Sequence, residues 1–486
     1  MIRANLGRYA KIVATLGPAS SSVEMIAALI EAGMNVARIN MSHGTHESHA
    51  ALIKNIREAS RETGLEVAIL IDLQGPKIRI DKLPVPLRLR QGETWMIGAS
   101  NLRNSHPEYH NRFIPTTYER LVSDCRDGDR ILFADGMISA RAVARKGDTY
   151  QIKVEVGGEL TSNKGINLPD SIVTTSSFTE KDRLDLAFGL KHQIDYVALS
   201  FVRKQEDVLQ VKEAISKQEN DIPLVAKIEN PEGIKNIMEI IDAADAIMVA
   251  RGDMGVEIGN HLVPTIQKQI INRCNNQGVP VITATQMLES MIESPLPTRA
   301  EASDVANAIW DGTDAVMLSA ETASGKYPFA AITMMGKIIS EAEKTPKERP
   351  SLRNLDLARV DDAIMLTASL LAEKISAKRI LAVSESGHSC LRITQYRPRV
   401  SILGISHHKR VVRKMCLFWG VSPFFLKDYQ EDHPDLEADV IREVRDRCQL
   451  NNGDRIVITR GSGKFFASGS ANSVRVETIN LNQMEQ

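Results

Sequence analysis

Residues 223–253 read PLVAKIENPEGIKNIMEIIDAADAIMVARGD, in which two short apolar runs lie on either side of a helical pattern. The runs are PLVAKIE and AIMVARGD, and each ends in charged residues. Short runs rich in Val and Ile that alternate with helical patterns are typical of buried parallel strands. The segment therefore predicts a strand–helix–strand unit of a parallel sheet.

The same unit recurs along much of the chain. The eight apolar runs are KIVATLG (from residue 11), NVARINMS (35), VAILIDL (67), DYVALSF (195), PLVAKIE (223), AIMVARGD (246), PVITATQ (280) and AVMLSAE (315). Gly33 and Gly278 are placed to end two intervening helices, and Thr298 with Glu301 has the spacing of a capping box. Eight strands alternating with helices predict a (β/α)8 TIM barrel.

One gap in this spacing predicts an inserted domain. More than a hundred residues follow the third run, too many for one connection. Residues 75–176 carry short strand patterns punctuated by Gly, Asp and Pro, which predict a small antiparallel β-barrel that acts as a lid. The predicted strands there are PLRLR, ETWMIGA, RILFADG, ARAVAR and YQIKVEV. Residues 1–74 and 177–345 then form the catalytic barrel.

A third domain is predicted for residues 346–486. The stretch KTPKERPSLRNLDL is charged and contains two prolines, so it is interpreted as a linker. The runs RILAVSES, VSILGIS, VSPFFLK, DRIVITRG and VRVETI then alternate with helical patterns. This order predicts an open-sheet α/β regulatory domain. The chain ends shortly after VRVETI, so we expect no additional C-terminal phosphotransfer-like domain.

Composition excludes several classes of function. With 60 basic and 61 acidic residues the net charge is -1, which argues against a nucleic-acid or anionic membrane partner. The N-terminus has no apolar signal region, and no apolar run approaches the ~20 residues of a membrane helix, so a cytoplasmic protein is expected. The five cysteines form no CxxC pair and are expected to be reduced and structural.

Polar residues cluster at the predicted carboxyl ends of seven strands. They are Arg38, Asn40, Ser42, His43, Asp72, Ser200, Lys227, Glu229, Arg251, Asp253, Thr285, Gln286, Ser319 and Glu321. These positions lie on the face where TIM barrels carry their active sites. An alternative is that the groups form buried ion pairs that hold the strands in register. Their recurrence on seven strands favours catalysis.

The chemistry of this set indicates phosphoryl transfer. Glu229 and Asp253 end adjacent strands and are predicted to hold Mg²⁺ or Mn²⁺, since hard cations prefer oxygen ligands. Lys227 lies on the same strand face as Glu229. Lys227 and Arg38 can neutralise a transferring phosphoryl group. Gly252 offers backbone N–H groups for an anion at a short helix start, although a tight strand exit would explain the same glycine.

Several long motifs resemble the pyruvate kinase family. They are KIVATLGPAS, ARINMSHGTHESH, IDLQGPKIR, NKGINLP, AKIENPEGI, MVARGDMGVE and ITATQMLESMIESPLPTRAEASDVANAIWDGTDAVMLSAETASGKYP. The resemblance covers the whole chain. It implies phosphoryl transfer from phosphoenolpyruvate to ADP, giving pyruvate and ATP, and assembly as a homotetramer.

The resemblance also implies residue roles. Glu229 and Asp253 would bind the divalent metal, and Lys227 and Arg38 would hold the phosphoryl group. Proton delivery to the enolate carbon would fall to Thr285, with a water relay near Ser319 and Glu321, and the Gly252 and Asp253 amides would receive the substrate carboxylate. The positions that match contacts to the nucleotide or its phosphates are Pro18, Asn40, His43, Arg79, Asp135, Lys164 and Asn167.

Two positions depart from the family pattern. Potassium-dependent members carry glutamate at the position of Lys77, so potassium independence is predicted. The monovalent-site ligands matched near it are Asn40, Ser42, Asp72 and the Leu73 carbonyl. Ser48 stands where some relatives place a tyrosine against adenine, which leaves nucleotide base selectivity open.

A loop in the third domain resembles an allosteric phosphate site. Its residues are Ser384, Glu385, Ser386, Gly387, His388 and Ser389, with Arg460 and Lys464 on a second loop. The implied effector is a sugar phosphate or AMP. The usual basic residue is replaced by His388, and an ordinary turn would explain the second loop.

Two other functions stay open on the sequence. One is a lyase or aldolase of the phosphoenolpyruvate/pyruvate barrel superfamily, which would need neither Lys227 nor the lid. The other is a catalytically inactive metabolite sensor, which would have lost Lys227, Arg38 or a metal carboxylate. All of these residues are present.

Overall fold

The structure is a computed structural model that describes residues 7–105, 109, 112–345, 359–427, 429–430, 436–461, 466 and 471–480. The strands are β1 Lys11–Thr15, β2 Val36–Asn40, β3 Ala68–Asp72, β4 Leu87–Leu89, β5 Thr94–Ala99, β6 Phe113–Thr116, β7 Arg130–Phe133, β8 Ile138–Lys146, β9 Thr149–Val156, β10 Gly158–Leu160, β11 Ile166–Asn167, β12 Tyr196–Leu199, β13 Leu224–Ile228, β14 Ala246–Ala250, β15 Val281–Ala284, β16 Ala315–Leu318, β17 Arg379–Val383, β18 Ile402–Ser406, β19 Val421–Phe425, β20 Arg455–Arg460 and β21 Ser473–Thr478. The helices are α1 Val23–Ala32, α2 His46–Thr63, α3 Leu121–Asp124, α4 Glu180–Lys191, α5 Gln205–Ser216, α6 Pro231–Lys235, α7 Ile237–Ala243, α8 Arg251–Ile258, α9 Val263–Gln277, α10 Arg299–Asp311, α11 Ala320–Ala323, α12 Pro328–Ala342, α13 Val360–Lys374, α14 His388–Thr394, α15 Lys409–Lys414 and α16 Leu436–Cys448. Short 3-10 helices cover Pro18–Ser20, Ser100–Ser105, Glu289–Ile292 and Met415–Leu417.

Eight parallel strands close into a barrel in the order β1-β16-β15-β14-β13-β12-β3-β2. All eight correspond to the apolar runs, so the predicted (β/α)8 barrel is confirmed. Alternate residues of a strand pack in different clusters: Ala68 and Leu70 of β3 belong to the barrel interior, while Ile69 and Ile71 pack with the outer helices. A strand buried on both faces must be apolar nearly throughout, which is why these runs were recognisable.

Local signals set the limits of the barrel helices. Gly33 and Gly278 follow α1 and α9 in the left-handed conformation, with φ of 118° and 69°. Thr298 and Glu301 form the predicted capping box at the start of α10. These caps satisfy backbone groups that the helix ends would otherwise leave unpaired.

The insert between β3 and α4 is a β-domain with its own apolar cluster. Its strands form a six-stranded sheet in the order β11-β7-β8-β9-β5-β6 and a two-stranded sheet of β10 and β4. Every pair is antiparallel, as predicted, except β5 and β6, which are parallel. The five predicted strands are present, and the short β6, β10 and β11 are additional to them.

The insert lies against the carboxyl side of the barrel. Asn167 of β11 donates to Glu257 Oε1 of α8 at 2.7 Å. A Cβ atom built at Gly136, in the turn between β7 and β8, would lie 3.6 Å from Val256 Cγ1 of the same helix. Because α8 directly follows β14, the insert contacts the barrel beside the predicted active face.

The C-terminal domain is an open sheet in the order β19-β18-β17-β20-β21. All its strands correspond to predicted runs, and only the β20–β21 pair is antiparallel among the described strands of this sheet. Most of the predicted linker, residues 346–357, lies outside the described residues.

Two further expectations concern the chain as a whole. All five cysteines are buried and free of disulfides, as predicted. None of the helices formed by the described residues combines the length and apolar character needed to cross a membrane.

Candidate active site

Lys227 lies at the centre of a buried polar network at the carboxyl edge of the barrel. Strand alternation continues from Val225 in the interior, so Lys227 points inward beside neighbouring strands. Its Nζ donates to Ser200 Oγ at 2.7 Å and lies 3.2 Å from Asp72 Oδ1 and 2.9 Å from Glu229 Oε1. Burial alone lowers the pKa of Lys227, but the charges of Asp72 and Glu229 outweigh it and raise that pKa. The ammonium is therefore charged at neutral pH.

Arg38 enters the same network from β2. Its Nε and Nη2 donate to Asp72 Oδ2 at 2.8 and 2.6 Å, and its Nη1 donates to Thr15 Oγ1 at 2.8 Å. Burial acts to raise the pKa of the Asp72 carboxyl, but the positive charges of Lys227 and Arg38 outweigh it, so that pKa is lowered. A guanidinium has five N–H donors, so two remain for a ligand. The fixed arginine is ready to hold an anion.

Glu229 and Asp253 are suited to a divalent cation. Glu229 is fully buried, and its Oε1 has the Lys227 ammonium 2.9 Å away as an ion-pair partner. The pKa of Glu229 is raised to about 7. Burial is the largest cause and the charge of Asp253 adds to it, whereas Lys227 acts to lower this pKa. A buried carboxylate beside a second carboxylate fits Mg²⁺ or Mn²⁺, which prefer oxygen ligands.

A strained turn aims a backbone group at Glu229. Phe201 follows β12 with φ of 56°, a conformation that bulky residues rarely adopt. Its N–H donates to Glu229 Oε2 at 2.6 Å. The strained residue lies next to the predicted metal ligand Glu229, where its N–H fixes the orientation of the carboxylate.

A second strained turn follows β15. Thr285 and Gln286 have φ of 69° and 54°. Thr285 Oγ1 accepts from the Gly252 N–H at 2.7 Å and donates to the Ala284 carbonyl at 2.6 Å. The Gly252 amide is thus engaged in this structure, so a substrate carboxylate would have to displace that bond.

Arg251 holds this turn in place. Its Nη2 donates to the carbonyls of Thr285 and Gln286 at 2.7 and 3.0 Å, and its Nη1 donates to Asp304 at 2.8 Å. The sequence placed Arg251 at a strand end but gave it no role. The structure shows that it positions Thr285.

Ser319 and Glu321 come together after β16. Both Glu321 oxygens accept backbone N–H bonds, from Ser319 at 2.6 Å and from Leu288 at 3.1 Å. Burial raises the pKa of Glu321 despite these bonds. Ser319 Oγ is buried without a hydrogen-bond partner among the described residues. Glu321 therefore holds the backbone of Ser319 and Leu288 in place. The Ser319 hydroxyl can form a hydrogen bond with another group.

Lys77 lies beside this network, just beyond β3. The residue is exposed overall, but enough protein surrounds its ammonium that desolvation, followed by the charge of Arg79, lowers its pKa. The charges of Asp253 and Glu229 act on it in the opposite direction. Lys77 thus adds a cation close to the proposed metal carboxylates.

The matched monovalent-site groups are already bonded to protein. Asn40 Oδ1 accepts from the Ser42 N–H at 3.0 Å, and the Leu73 carbonyl accepts from Ser200 Oγ at 2.8 Å. Asp72 is shared by Arg38 and Lys227. Protein donors therefore occupy acceptors that a bound K⁺ would use.

The structure gathers some of the predicted nucleotide residues at the base of the lid. Arg79 pairs with Gly165 as an isolated antiparallel bridge and donates to the Asn163 carbonyl at 3.3 Å. Lys164 and Asn167 lie on this same segment, and Lys164 is exposed.

The other predicted nucleotide residues lie on exposed turns. Asp135 is exposed in the β7–β8 turn with φ of 55°. Pro18 and His43 are exposed after β1 and β2, at the carboxyl end of the barrel. All are accessible from the side on which the lid lies.

Comparison with known proteins places this site in a family. The sequence matches the family described as "Pyruvate kinase, barrel domain" over residues 7–332 and "Pyruvate kinase, alpha/beta domain" over residues 362–477. The chain belongs to the pyruvate kinase family. It is therefore a phosphotransferase of phosphoenolpyruvate and ADP, which yields pyruvate and ATP.

Two similar proteins illustrate the extent of the match. A protein named Pyruvate kinase from Geobacillus stearothermophilus is 43% identical over 479 residues, which cover 97% of this chain and 80% of the relative. One of the same name from Staphylococcus aureus (strain USA300) is 41% identical over 483 residues, with the same shares of 97% and 80%. The likeness extends over both the barrel and the C-terminal sheet.

One carboxylate near the pyruvate kinase site was missed from the sequence. Glu257 lies four residues after Asp253, so both project from one face of α8. The pKa of Glu257 is raised to about 7. Burial is the largest cause and the charge of Asp253 adds to it, whereas the hydrogen bond from the Asn167 amide acts to lower this pKa. The i,i+4 spacing to a metal ligand was the available signal.

The predicted effector loop lies between β17 and α14. The Gly387 N–H donates to Ser384 Oγ at 2.9 Å, and the His388 N–H donates to Ser386 Oγ at 3.4 Å. Burial, followed by the charge of Arg392, lowers the pKa of His388. A histidine that is mostly neutral near pH 7 is a weak phosphate partner.

The remaining residues of the predicted effector site are only partly described. Glu385 pairs with His408, at 2.7 Å between Oε1 and Nε2. Arg460 pairs with Glu437 at 3.3 Å. Ser389 lies in the first turn of α14, and Lys464 lies outside the described residues.

Proposed function

We propose that this chain transfers the phosphoryl group of phosphoenolpyruvate to ADP with a divalent cation held by Glu229 and Asp253. The observation that carries the proposal is the buried network in which Lys227 meets Asp72, Ser200 and Glu229. Two cationic side chains and a buried carboxylate at one barrel mouth suit a reaction that depends on positioning and charge neutralisation.

The cation supplies Lewis-acid polarisation and charge neutralisation at the phosphoryl oxygens when it is bound. Lys227 contributes an N–H donor to the phosphoryl group, in exchange for one of its present partners. Arg38, fixed by Asp72 and Thr15, directs its two remaining donors to the same group. Both stay charged, so the reaction needs no proton from either of them.

Thr285, Ser319 and Glu321 serve the proton step in this proposal. Departure of the phosphoryl group leaves an enolate, whose carbon takes one proton to become the methyl group of pyruvate. The Thr285 hydroxyl is held at β15 by Gly252 and Ala284, and Arg251 fixes its backbone. Ser319 Oγ, buried and unbonded among the described residues, can hold a water in line with it.

The nucleotide lies between lid and barrel. Arg79 and Lys164 supply cations for the diphosphate, and the residues that border the same opening are Pro18, Asn40, His43, Asp135 and Asn167. The bond from Asn167 to Glu257 holds this part of the lid to α8. Ser48 caps α2 through Thr45, so no aromatic ring stacks on adenine from that position. A relaxed preference for the base is the expected result.

Lys77 replaces the monovalent cation. Its ammonium acts on the charges of Asp253 and Glu229, as a bound K⁺ would. Activity without K⁺ follows, because the positive charge is covalently attached.

The C-terminal domain carries regulation in this proposal. Residues 384–389 receive a phosphate of a sugar phosphate or of AMP through hydroxyl and N–H groups. The enzyme acts in the cytoplasm as a homotetramer. If titration with phosphorylated sugars and AMP leaves the phosphoenolpyruvate saturation curve unchanged, the regulatory part is wrong.

A coupled assay tests the central proposal. Pyruvate formation from phosphoenolpyruvate is followed with and without ADP and with and without Mg²⁺, and we expect it to require both. Pyruvate formed without ADP would indicate a lyase or phosphatase instead. No turnover under any of these conditions would favour the inactive sensor.

A further inference from the structure

The carboxyl edge of the C-terminal sheet brings together three side chains of types that bind metals, and of these the proposed function uses only Glu385, as part of the effector loop. Residues Val383 of β17 and Ile405 of β18 are direct partners in the parallel register. Glu385 and His407 each lie two residues further along, so the topology places them side by side. His408 follows and begins the turn into α15. Glu385, His407 and His408 thus meet on two adjacent strand ends.

The ligand atoms of the three residues all lie within 4.8 Å of one another. Glu385 Oε1 is 2.7 Å from His408 Nε2, and Glu385 Oε2 is 3.7 Å from His407 Nδ1. Tetrahedral zinc sites have metal–ligand bonds of about 2.0 to 2.2 Å, so their ligand atoms lie roughly 3.3 to 3.6 Å apart. The Glu385–His407 pair at 3.7 Å is within about 0.1 Å of this spacing, and a small rotation of His408 would bring the Glu385–His408 pair to it.

The imidazole rings are held in place by neighbouring aromatic rings. The His407 and His408 ring centroids are 3.9 Å apart, and His407 stacks on Tyr429 at 4.5 Å with an interplanar angle of 25°. Phe466 contacts His407 edge-on at 4.5 Å and lies 4.9 Å from Tyr429, so the two rings support each other. Ligands fixed before binding lose little conformational freedom when they take up an ion.

One carboxylate oxygen of the cluster has unused capacity. Glu385 Oε2 is buried and accepts no hydrogen bond from the described residues, although the side chain as a whole keeps 36% of its surface exposed. The His408 side chain is 49% exposed, so an ion can reach the cluster from solvent.

We infer that Glu385, His407 and His408 form a binding site for a divalent first-row transition metal, such as Zn²⁺. Two imidazole nitrogens and one carboxylate oxygen suit such ions, whereas Mg²⁺ prefers oxygen ligands throughout. Three protein ligands leave a fourth position open to water or to an anion at the neighbouring loop of residues 384–389. The site is separate from the barrel and does not depend on the reaction proposed there.

Binding of Co²⁺ to the full chain tests this inference. The protein is treated with a chelator, Mg²⁺ is added in large excess to occupy oxygen-rich sites, and Co²⁺ is titrated while visible absorption is recorded. Four-coordinate Co²⁺ with nitrogen ligands absorbs far more strongly than octahedral Co²⁺ with oxygen ligands. We expect strong bands that saturate at one Co²⁺ per chain and that Zn²⁺ abolishes.

Variants assign the bands to the cluster. In His408→Asn and Glu385→Gln, Co²⁺ should bind at least ~10-fold more weakly, since even outer partners of a metal site change affinity by this much. His388→Asn removes a neighbouring histidine outside the cluster and should keep the bands. Unchanged melting curves show that the exposed substitutions leave the fold intact.

Three outcomes would overturn the inference. They are the absence of strong bands in the unaltered chain, bands that persist in both cluster variants, and an equal loss in His388→Asn. None of them bears on phosphoryl transfer, which is measured separately.

Discussion

The carboxyl ends of parallel strands carry polar clusters in two regions of this molecule, and the two clusters differ in their exposure to solvent. In the barrel, the side chains of Lys227 and Glu229 are 10% and 1% exposed and lie 2.9 Å apart. In the C-terminal sheet, Glu385 and His408 are 36% and 49% exposed and lie 2.7 Å apart. The distances are similar, but the barrel pair is surrounded by protein.

Closure of the sheet explains the difference. A closed barrel directs eight strand ends toward one axis. Polar side chains at these ends therefore contact one another instead of water. An open sheet directs neighbouring ends side by side and leaves one flank to solvent. Charges in the first environment interact strongly and shift pKa values, whereas those in the second interact weakly.

The largest expected effect is that of Lys227→Met in the barrel. Methionine keeps much of the length but removes the ammonium, which leaves Asp72 and Glu229 without their shared cation. We expect kcat to fall by roughly 10³-fold, as for loss of a donor to transition-state charge. Steady-state kinetics measure it, with Lys235→Met on the exposed face of α6 as the control. A loss below tenfold would contradict the central role of Lys227.

The pH dependence of stability tests the burial of Glu257. Its pKa is raised from 4.5 to about 7 by desolvation, so between these values the folded chain binds a proton that the unfolded chain releases. The contribution of Glu257 to stability therefore falls as pH rises from about 4.5 to 7, and Glu257→Gln should remove this contribution, roughly 3 kcal/mol. Thermal unfolding as a function of pH measures it. The exposed Glu239→Gln should leave the profile unchanged, and parallel profiles for Glu257→Gln and wild type would refute the assignment.

Lys77→Glu should convert potassium independence into dependence. The unaltered enzyme should turn over equally with and without K⁺ in Na⁺-free tetraalkylammonium buffer. The variant places a carboxylate near Asp253 and should gain about tenfold in turnover, or 1.4 kcal/mol, when K⁺ is added. Lys82→Glu is the matched control. Strong K⁺ activation of the unaltered enzyme would rule out the role of Lys77.

The smallest effect is expected at the exposed pair of the C-terminal sheet. In the absence of added transition metal, His408→Asn should change the free energy of unfolding by about 0.5 kcal/mol or less, as for other exposed ion pairs. Chemical unfolding measures it. Asp72→Asn, which removes a carboxylate that Arg38 and Lys227 share in the barrel, is the comparison. A change in the free energy of unfolding as large as that of Asp72→Asn would remove the distinction between the two regions.

The barrel could be predicted because its strands are buried on both faces. Residues such as those of VAILIDL have no exposed positions to interrupt the apolar run, so Asp72 at its end was conspicuous. The short β6, β10 and β11 of the insert carry no such pattern. Their pairing depends on distant residues, such as Phe113 with Met96, and strands of two to four residues are too short to show a periodic pattern.

The sequence indicated which residues lie together at the candidate site, but not which atoms contact one another there. Lys227, Glu229 and Asp253 were identifiable because charged residues end buried strands. The use of Arg251 to hold Thr285, and the engagement of the Gly252 amide by the Thr285 hydroxyl, follow from left-handed backbone conformations at non-glycine residues. Such conformations have no sequence signature, since threonine and glutamine rarely adopt them.

The ring of barrel strands also constrains how the chain is made. Lys11 of β1 pairs with Ala315 of β16, and β3 pairs with β12 across the whole insert. During synthesis from the N-terminus, the insert with its own apolar cluster is complete before β12 emerges. It can fold on an unfinished barrel, whereas β1 offers an unpaired edge until β16 appears. That interval is when the nascent chain is most open to aggregation.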